Sequence, residues 1–587
     1  MGGGGASGAN GAPGAPGAGR NPAGDAVLRH MRPPERVMRL ERLGASYPTR
    51  LSFMRSLLRR MAREGWRFER ERSALDAQGY GHAVYAAHAP GRSFRLVVFS
   101  DALAPEARTD RVIAERWDVS FVLADGAVFD ADIARLRANV PKQEAGRVGP
   151  QELVLSRANR SVRLFDHVVE RLAAGRQPDP ARLAEVGYLV RTTAVYGNGK
   201  FGLADLGRVR METGLERPYE AEMLAIYLMR WFVLDLVEHI AAARGGAKAV
   251  RLASPARRML GIGNATGLGM APYLVKHPVL IHNWLAAREE AFARVRALPA
   301  ADPAAVQRFL ALFRRACRHV GEWQTGDRRF AQRIARLRAE LQAMLERLPA
   351  VERQLLDEPE PWDRLMRDVE ANCSIETQEL LLSLILEPHG ALVDELEDRL
   401  AARTGERADP RMSVERLLAL LDAQYGWALA LDFDRPDATH LFWYYSAEKE
   451  EPRLGERHAE PGAEREMRLG VAREIQAFRP ALAAAVAADP GRSVARFMLE
   501  RPRWRAIARR VQTVAGNPYG EIRGNMLDRA CVPIDLLRCK LAYFGAVRFD
   551  PKSDRWTRIC MYQGAPQPDE LTPATAEDWA FPVWGDG

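Results

Sequence analysis

Apolar positions recur with helical spacing over residues 51–61 (LSFMRSLLRRM), and the period then falls to two over 82–87 and 93–100. Alternation of that kind fits a strand with one buried face, and Ala89-Pro90-Gly91 between the runs supplies a turn, so a β-hairpin is predicted. Residues 119–123, a turn at Asp125-Gly126 and Val128-Phe129 predict a further strand pair. From Gln151 onward the helical period dominates. Asp179-Pro180 and Asp302-Pro303 open two of these helices, because an Asp oxygen caps unbonded amides and proline suits the first helical position. Residues 303–405 read as wholly helical, with 379–387 apolar enough to be buried. Ser413 caps a helix that runs to Gln424, followed by predicted strands over 427–433 and 440–445 around Arg435-Pro436-Asp437. A last hairpin is predicted from 546–549 and 556–562, turning through 550–554.

The chain also resembles itself. Residues 73–100 match 418–446: in both, a predicted helix ends in Leu-Asp-Ala-Gln, passes Tyr-Gly and enters a hairpin that finishes in an aromatic residue and Ser. Residues 189–202 match 510–524, which sets Val190 on Val511, Thr192 on Thr513, Ala194 on Ala515, Gly199 on Gly520 and Phe201 on Ile522. Pro218 and Pro533 open the next matching pair, and 249–263 match 546–561. Matches in one order predict a duplication. The expected fold is α+β, predominantly helical, with two related copies of a helix/β-hairpin/helix unit about a pseudo-twofold axis, joined by a helical insert. The expected division is a Gly/Ala/Pro tail over 1–28 with too little apolar surface to order, a first copy over 29–295, the insert over 296–408 and a second, shorter copy over 409–587.

Composition changes this picture little. At 587 residues the chain exceeds what one core usually holds, and 47% hydrophobic against 27% charged residues leaves ample surface to bury. The net charge of +9 is mild for this length. Only seven of the basic side chains are lysines, which draws attention to each. Five cysteines, Cys317, Cys373, Cys531, Cys539 and Cys560, show no CxxC spacing, so neither a disulfide framework nor a cysteine zinc site is indicated and a reducing cytoplasm is expected. The start lacks a secretory profile. The most apolar helical run, 223–237, is interrupted by Arg230 and Asp235 and is too short for a bilayer, so no membrane insertion is expected.

Candidate chemistry concentrates in glycine-bearing segments. Gly261-Ile-Gly263-Asn264-Ala-Thr266-Gly267-Leu-Gly269 lies between an apparent strand and a helix, where glycines let backbone amides approach an anion. It matches neither the dinucleotide fingerprint nor the P-loop. Tyr196-Gly-Asn198-Gly-Lys200 places a rare lysine among glycines close to Arg191, a combination suited to gripping a carboxylate or phosphate. Its counterpart, Asn517-Pro-Tyr519-Gly-Glu521-Ile-Arg523-Gly-Asn525, carries Glu where the first has Lys. Lys200 and Glu521 across the twofold would form an acid/base pair or an inter-domain salt bridge, with Tyr519 the further candidate for proton transfer.

Metal ligation is poorly supported: there is no HExxH, and His82/His88 and His277/His282 are spaced by six and five. No motif names a cofactor. Arg501-Pro-Arg-Trp-Arg505 mixes guanidinium groups with an indole, but nearby acids and the mild net charge argue against a polynucleotide partner. The expected function is a cytoplasmic enzyme acting on a small anionic metabolite, a carboxylate or phosphate, held by Gly-rich loops where the two halves meet. The alternative is a non-catalytic scaffold whose Arg-rich helices meet nucleic acid or protein.

Overall fold

The computed structural model describes residues 27–104, 117–139, 149, 151–197, 214–267, 277–401, 408–432, 442–446, 451–454, 465–468, 470–523, 534–551 and 556–584. Its centre is a nine-stranded sheet in the order β1-β2-β3-β4-β5-β6-β7-β12-β11. The strands are β1 (Arg67–Leu75), β2 (Gly81–Ala89), β3 (Arg92–Ser100), β4 (Val119–Asp125), β5 (Glu152–Arg160), β6 (Tyr188–Gly197) and β7 (Gly261–Gly267). A separate three-stranded sheet holds β8 (Phe442–Ser446), β9 (Glu451–Leu454) and β10 (Arg465–Arg468), and β11 (Phe549–Pro551) and β12 (Trp556–Met561) complete the large one. Every neighbouring pair in the large sheet is antiparallel except β6 and β7.

The alternation read along 93–100 builds both faces of β3. Phe94, Leu96 and Val98 enter the main core, while Val97 and Phe99 join Val84, Val122, Ile133 and Leu136 in a small second core. Ile133 and Leu136 belong to the helix Asp130–Asn139, here α1, which covers that face. The other face carries α2 (Glu220–Gly245), a largely apolar helix buried on most of its circumference, with Glu220, Glu222 and Arg230 as buried charged exceptions. It forms the crossover that a parallel pair requires, leading from β6 back to β7.

Beyond the sheet, α3 (Pro278–Arg296), α4 (Pro303–Gly321), α5 (Arg328–Glu346) and α6 (Ile375–Leu386) form a helical body. Asp179, Asp302 and Asp327 each accept a hydrogen bond from a first-turn amide of the helix they precede, and Ser413 does so for α7 (Val414–Leu429). The buried helix α6 carries Glu376 and Glu379 inward. Arg32 donates to both Glu289 and Glu379 at 2.7 Å, and Arg55 grips Glu387, just past α6, at 2.8 and 2.7 Å, so guanidinium groups near the N-terminus lock onto helices some three hundred positions later. Burial of such pairs costs desolvation, so they specify this arrangement more than they add net stability.

Several expected elements take another form. Val128 and Phe129 are not a strand: after the Asp125-Gly126 turn the chain enters α1, and β4 finds its partners in β3 and β5. Trp427 lies inside α7, which runs on to Leu429, so residues 427–432 are not the predicted strand. The fold is mixed α and β, but the duplication is not shown. Leu75-Asp76-Ala77-Gln78 ends a strand while Leu421-Asp422-Ala423-Gln424 is helical, and residues 189–197 are strand β6 while 510–515 belong to α8 (Arg505–Ala515). Of the matched pairs, the segments after Pro218 and Pro533 agree as helices, α2 and α9 (Ile534–Phe544).

Candidate functional site

The glycines at 261 and 263 sit in β7 itself, hydrogen-bonded on both sides, rather than in a loop between strand and helix. Their role follows from what a side chain would meet there. A Cβ on Gly263 would collide with the ring of Tyr188, and one on Gly261 with the Met561 carbonyl and the Cys560 sulfur. Glycine therefore empties one face of β7 so that Tyr188 from β6 and Cys560 from β12 can lie across it. Arg191 pairs with Gly263 and so belongs to this same face.

On this face opens a cavity of about 320 Å³. Its floor comes from β11 and β12. Asp550 stands directly opposite Arg558, and Arg548 and Cys560 lie two residues away on each chain, so the pleat aims all four the same way. A second wall carries Arg163, Glu185 and Tyr188, and the third is the Gln324-Thr325-Gly326 connection between α4 and α5. Arg548 donates to the Ala184 carbonyl at 2.5 Å, which fixes its guanidinium, and burial lowers its pKa against the pull of Cys560, Glu322 and Asp550. Arg163 reaches Glu185 at 3.1 Å at the rim. The Cys560 thiol donates to the Gly187 carbonyl at 2.9 Å and burial pushes its pKa up to about 12, so it is a neutral thiol here and not a nucleophile.

The residues singled out in the sequence fall into two places. Arg191 and Thr192 of β6 lie beside Gly263 and Asn264 of β7, and Tyr196, Thr266 and Gly267 occupy the C-terminal ends of these two adjacent parallel strands. Asn517, Tyr519, Glu521 and Arg523 lie elsewhere, against the start of α3 and the N-terminal segment. The Tyr519 phenol donates to the Arg32 carbonyl at 2.6 Å, its amide donates to His282 Nδ1 at 3.2 Å, and its ring stacks on that imidazole. Burial pushes the phenol up to about 12 and the imidazole down to about 4, so both are neutral anchors. Asn517 donates to the Thr513 carbonyl at 2.7 Å, and Arg523 pairs with Glu35. Glu521 is held by Arg510 and Tyr425 in a buried cluster. Lys200, Asn198, Gly269 and Asn525 lie outside the described residues.

The cleft-lining arginines escaped the sequence reading. Their signal was present as the period-two spacing Arg548-Phe-Asp550 and Arg558-Ile-Cys560, but the walls that turn that face into a cleft come from residues 163–188 and 324–326. The Arg501–Arg510 stretch presents no stacking platform: Trp504 is buried between Phe478, 5.4 Å away, and the Arg503 guanidinium at 4.2 Å. Among the described residues no group of three or more His, Cys, Asp or Glu is placed to hold a metal, and no helix is long and apolar enough to cross a membrane. Comparison with family models, with curated proteins and with solved structures finds no match to this chain.

Proposed function

We propose that the protein binds a small anionic metabolite, a carboxylate or phosphate, in the cleft between β6, β12 and the α4–α5 connection. The observation that carries this reading is the convergence of Arg163, Arg548 and Arg558 on one cavity whose volume of about 320 Å³ suits a small molecule. Guanidinium forks match the paired oxygens of both groups. Arg163 is engaged at the rim by Glu185, and Asp550 stands opposite Arg558. The glycines at 261 and 263 serve this site by letting Tyr188 and Cys560, which line it, lie across β7.

Titration calorimetry with inorganic phosphate, succinate and citrate tests the reading. Binding that disappears in Arg548→Ala and Arg558→Ala but persists in Lys200→Ala assigns the anion to this cleft. Binding abolished by Lys200→Ala and untouched by the cleft variants moves it to the Gly-rich segment after β6, and absence of any heat removes the proposal.

A further inference from the structure

Two helix ends meet at the surface where α2 stops. The helix Phe165–Ala173 closes through Gly175, at φ 75°, and the segment after α2 runs back along it, the Val250 amide donating to the Leu172 carbonyl at 3.0 Å. Gln177 bridges the two with its side-chain amide, donating to the Arg251 carbonyl at 2.8 Å and accepting from the Ala253 amide at 2.9 Å. Gly245 lies so close to the Ala173 carbonyl that a Cβ there would collide with it. The junction is therefore a fixed platform, and it is basic. Arg171, Arg176 and Arg182 come from one side and Arg244, Lys248 and Arg251 from the other, where residues 239–251 include no acid. Arg171 donates to the Gln177 carbonyl, Arg182 faces His167, and Arg251 reaches Glu238 only at 4.0 Å. The side chains of Arg176, Arg244 and Lys248 are exposed and, among the described residues, have no partner. Cations offset the negative end of a helix within its last turn, but Arg176, Lys248 and Arg251 lie beyond that turn in either helix.

We infer that this junction is a docking surface for a nucleic-acid duplex, held through its phosphate backbone without sequence readout. A duplex carries one negative charge per about 1.7 Å of its axis, so several cations on one platform meet several phosphates at once. The exposed positions between the cations are alanine or glycine at 174, 175, 242, 243, 246 and 247, which lets a phosphate backbone approach while the long basic arms reach around it. The side chains that other anionic surfaces require are missing. Residues 171–182 and 242–251 present no aromatic ring to stack an unpaired base, and no exposed Trp, Phe or Leu to enter a bilayer. An acidic protein would want an apolar centre, and Val250 is the one exposed large aliphatic side chain here. The mild net charge of the whole chain is no obstacle, because salt screens charges beyond about 8 Å and the local excess decides. Arg176, Arg244 and Lys248 do not line the cleft, so this inference stands apart from the anion reading.

The test is fluorescence anisotropy of a labelled DNA duplex of about 20 base pairs with the full chain, at about 50 and about 150 mM salt. Three phosphate contacts predict binding about twentyfold weaker at the higher salt. The triple variant Arg176→Ala/Arg244→Ala/Lys248→Ala is expected to keep the native melting temperature, since all three side chains are exposed. It is expected to bind the duplex about tenfold or more weakly at the lower salt, with most of the salt dependence gone. Arg353→Ala/Arg411→Ala/Arg416→Ala removes the same charge from scattered exposed positions and is expected to change the affinity by less than about twofold. The inference is overturned if the duplex does not bind at the lower salt, if the scattered variant loses as much as the junction variant, or if an unpaired strand of the same length binds more tightly than the duplex. Capture by vesicles of phosphatidylcholine and phosphatidylserine at about 3:1 that the junction variant abolishes, with duplex binding unmoved, overturns it in favour of a membrane surface.

Discussion

Arg510 holds Glu521 through two parallel contacts, Nε to Oε2 at 2.6 Å and Nη2 to Oε1 at 2.8 Å, and the phenol of Tyr425 donates to the same Oε2 at 2.9 Å. All three side chains are buried. Removing one member leaves a buried charge with its partner gone, so Glu521→Gln and Arg510→Met are each expected to cost roughly 3–5 kcal/mol. The double change Arg510→Met with Glu521→Leu is expected to recover most of that loss. Urea unfolding of Arg510→Met, Glu521→Leu and the double variant, arranged as a double-mutant cycle, gives the coupling directly.

Lys540 sits on α9 with 2% exposure, its ammonium 5.2 Å from the centroid of the Phe544 ring, and burial lowers its pKa to about 7. An unfolded lysine keeps its proton to about pH 10, so between these values the unfolded chain binds a proton that the folded chain does not, and stability rises with pH. Below about pH 7 the ammonium is buried in full. Lys540→Met is therefore expected to exceed the native chain in stability near pH 6 and to lose that advantage toward pH 10, by about 1 kcal/mol per pH unit. Unfolding free energies collected across that window check both the sign and the slope.

Gly263→Ala drives a methyl group into the ring of Tyr188. Overpacking of this kind costs roughly 1–3 kcal/mol and here also displaces one wall of the cleft. Tyr188→Ala in the same chain relieves the clash but empties the volume of a buried ring, so stability is expected to stay below that of the native chain and ligand binding not to return. Thermal unfolding and calorimetry on the single and double variants separate the two effects.

Burial pushes the thiols of Cys539 and Cys560 up to about 12. At pH 8 each is then a thiolate in about one part in ten thousand, so both are expected to resist iodoacetamide until the chain unfolds. Mass mapping of labelled peptides with and without urea reads this out. Rapid native labelling of Cys560 would show that the cleft floor is open to solvent.

Local chemistry made the β2–β3 hairpin and the helix caps legible, because period-two alternation, a Pro-Gly turn and Asp-Pro pairs act over a few residues. The tetrapeptide Leu-Asp-Ala-Gln shows where such reading stops. After β1, Asp76 accepts from the amides of Gln78 and Tyr80 at 2.9 Å and makes a turn; inside α7 the equivalent Asp422 faces outward to Arg479 at 2.7 Å. The residues are identical, and what packs against them decides. The glycines at 261 and 263 were recognisable as unusual, yet their reason, a tyrosine ring and a cysteine crossing β7, depends on a register that no stretch of sequence contains. The cleft was less legible still, since its lining comes from three distant segments.

The pairing of Gly267 in β7 with Trp556 in β12 joins positions about 290 residues apart. At ribosomal speed, on the order of half a minute separates the synthesis of the two strands. During that interval β7 has β6 on one side and an open backbone edge on the other, the situation that invites association with another chain. A nascent or truncated product ending before Phe549 carries this edge indefinitely and lacks the arginine-bearing floor of the cleft. On the proposed reading, a ligand of this cleft would bind only chains made through β12, and its presence during synthesis would favour the one partner, β12, that closes the sheet.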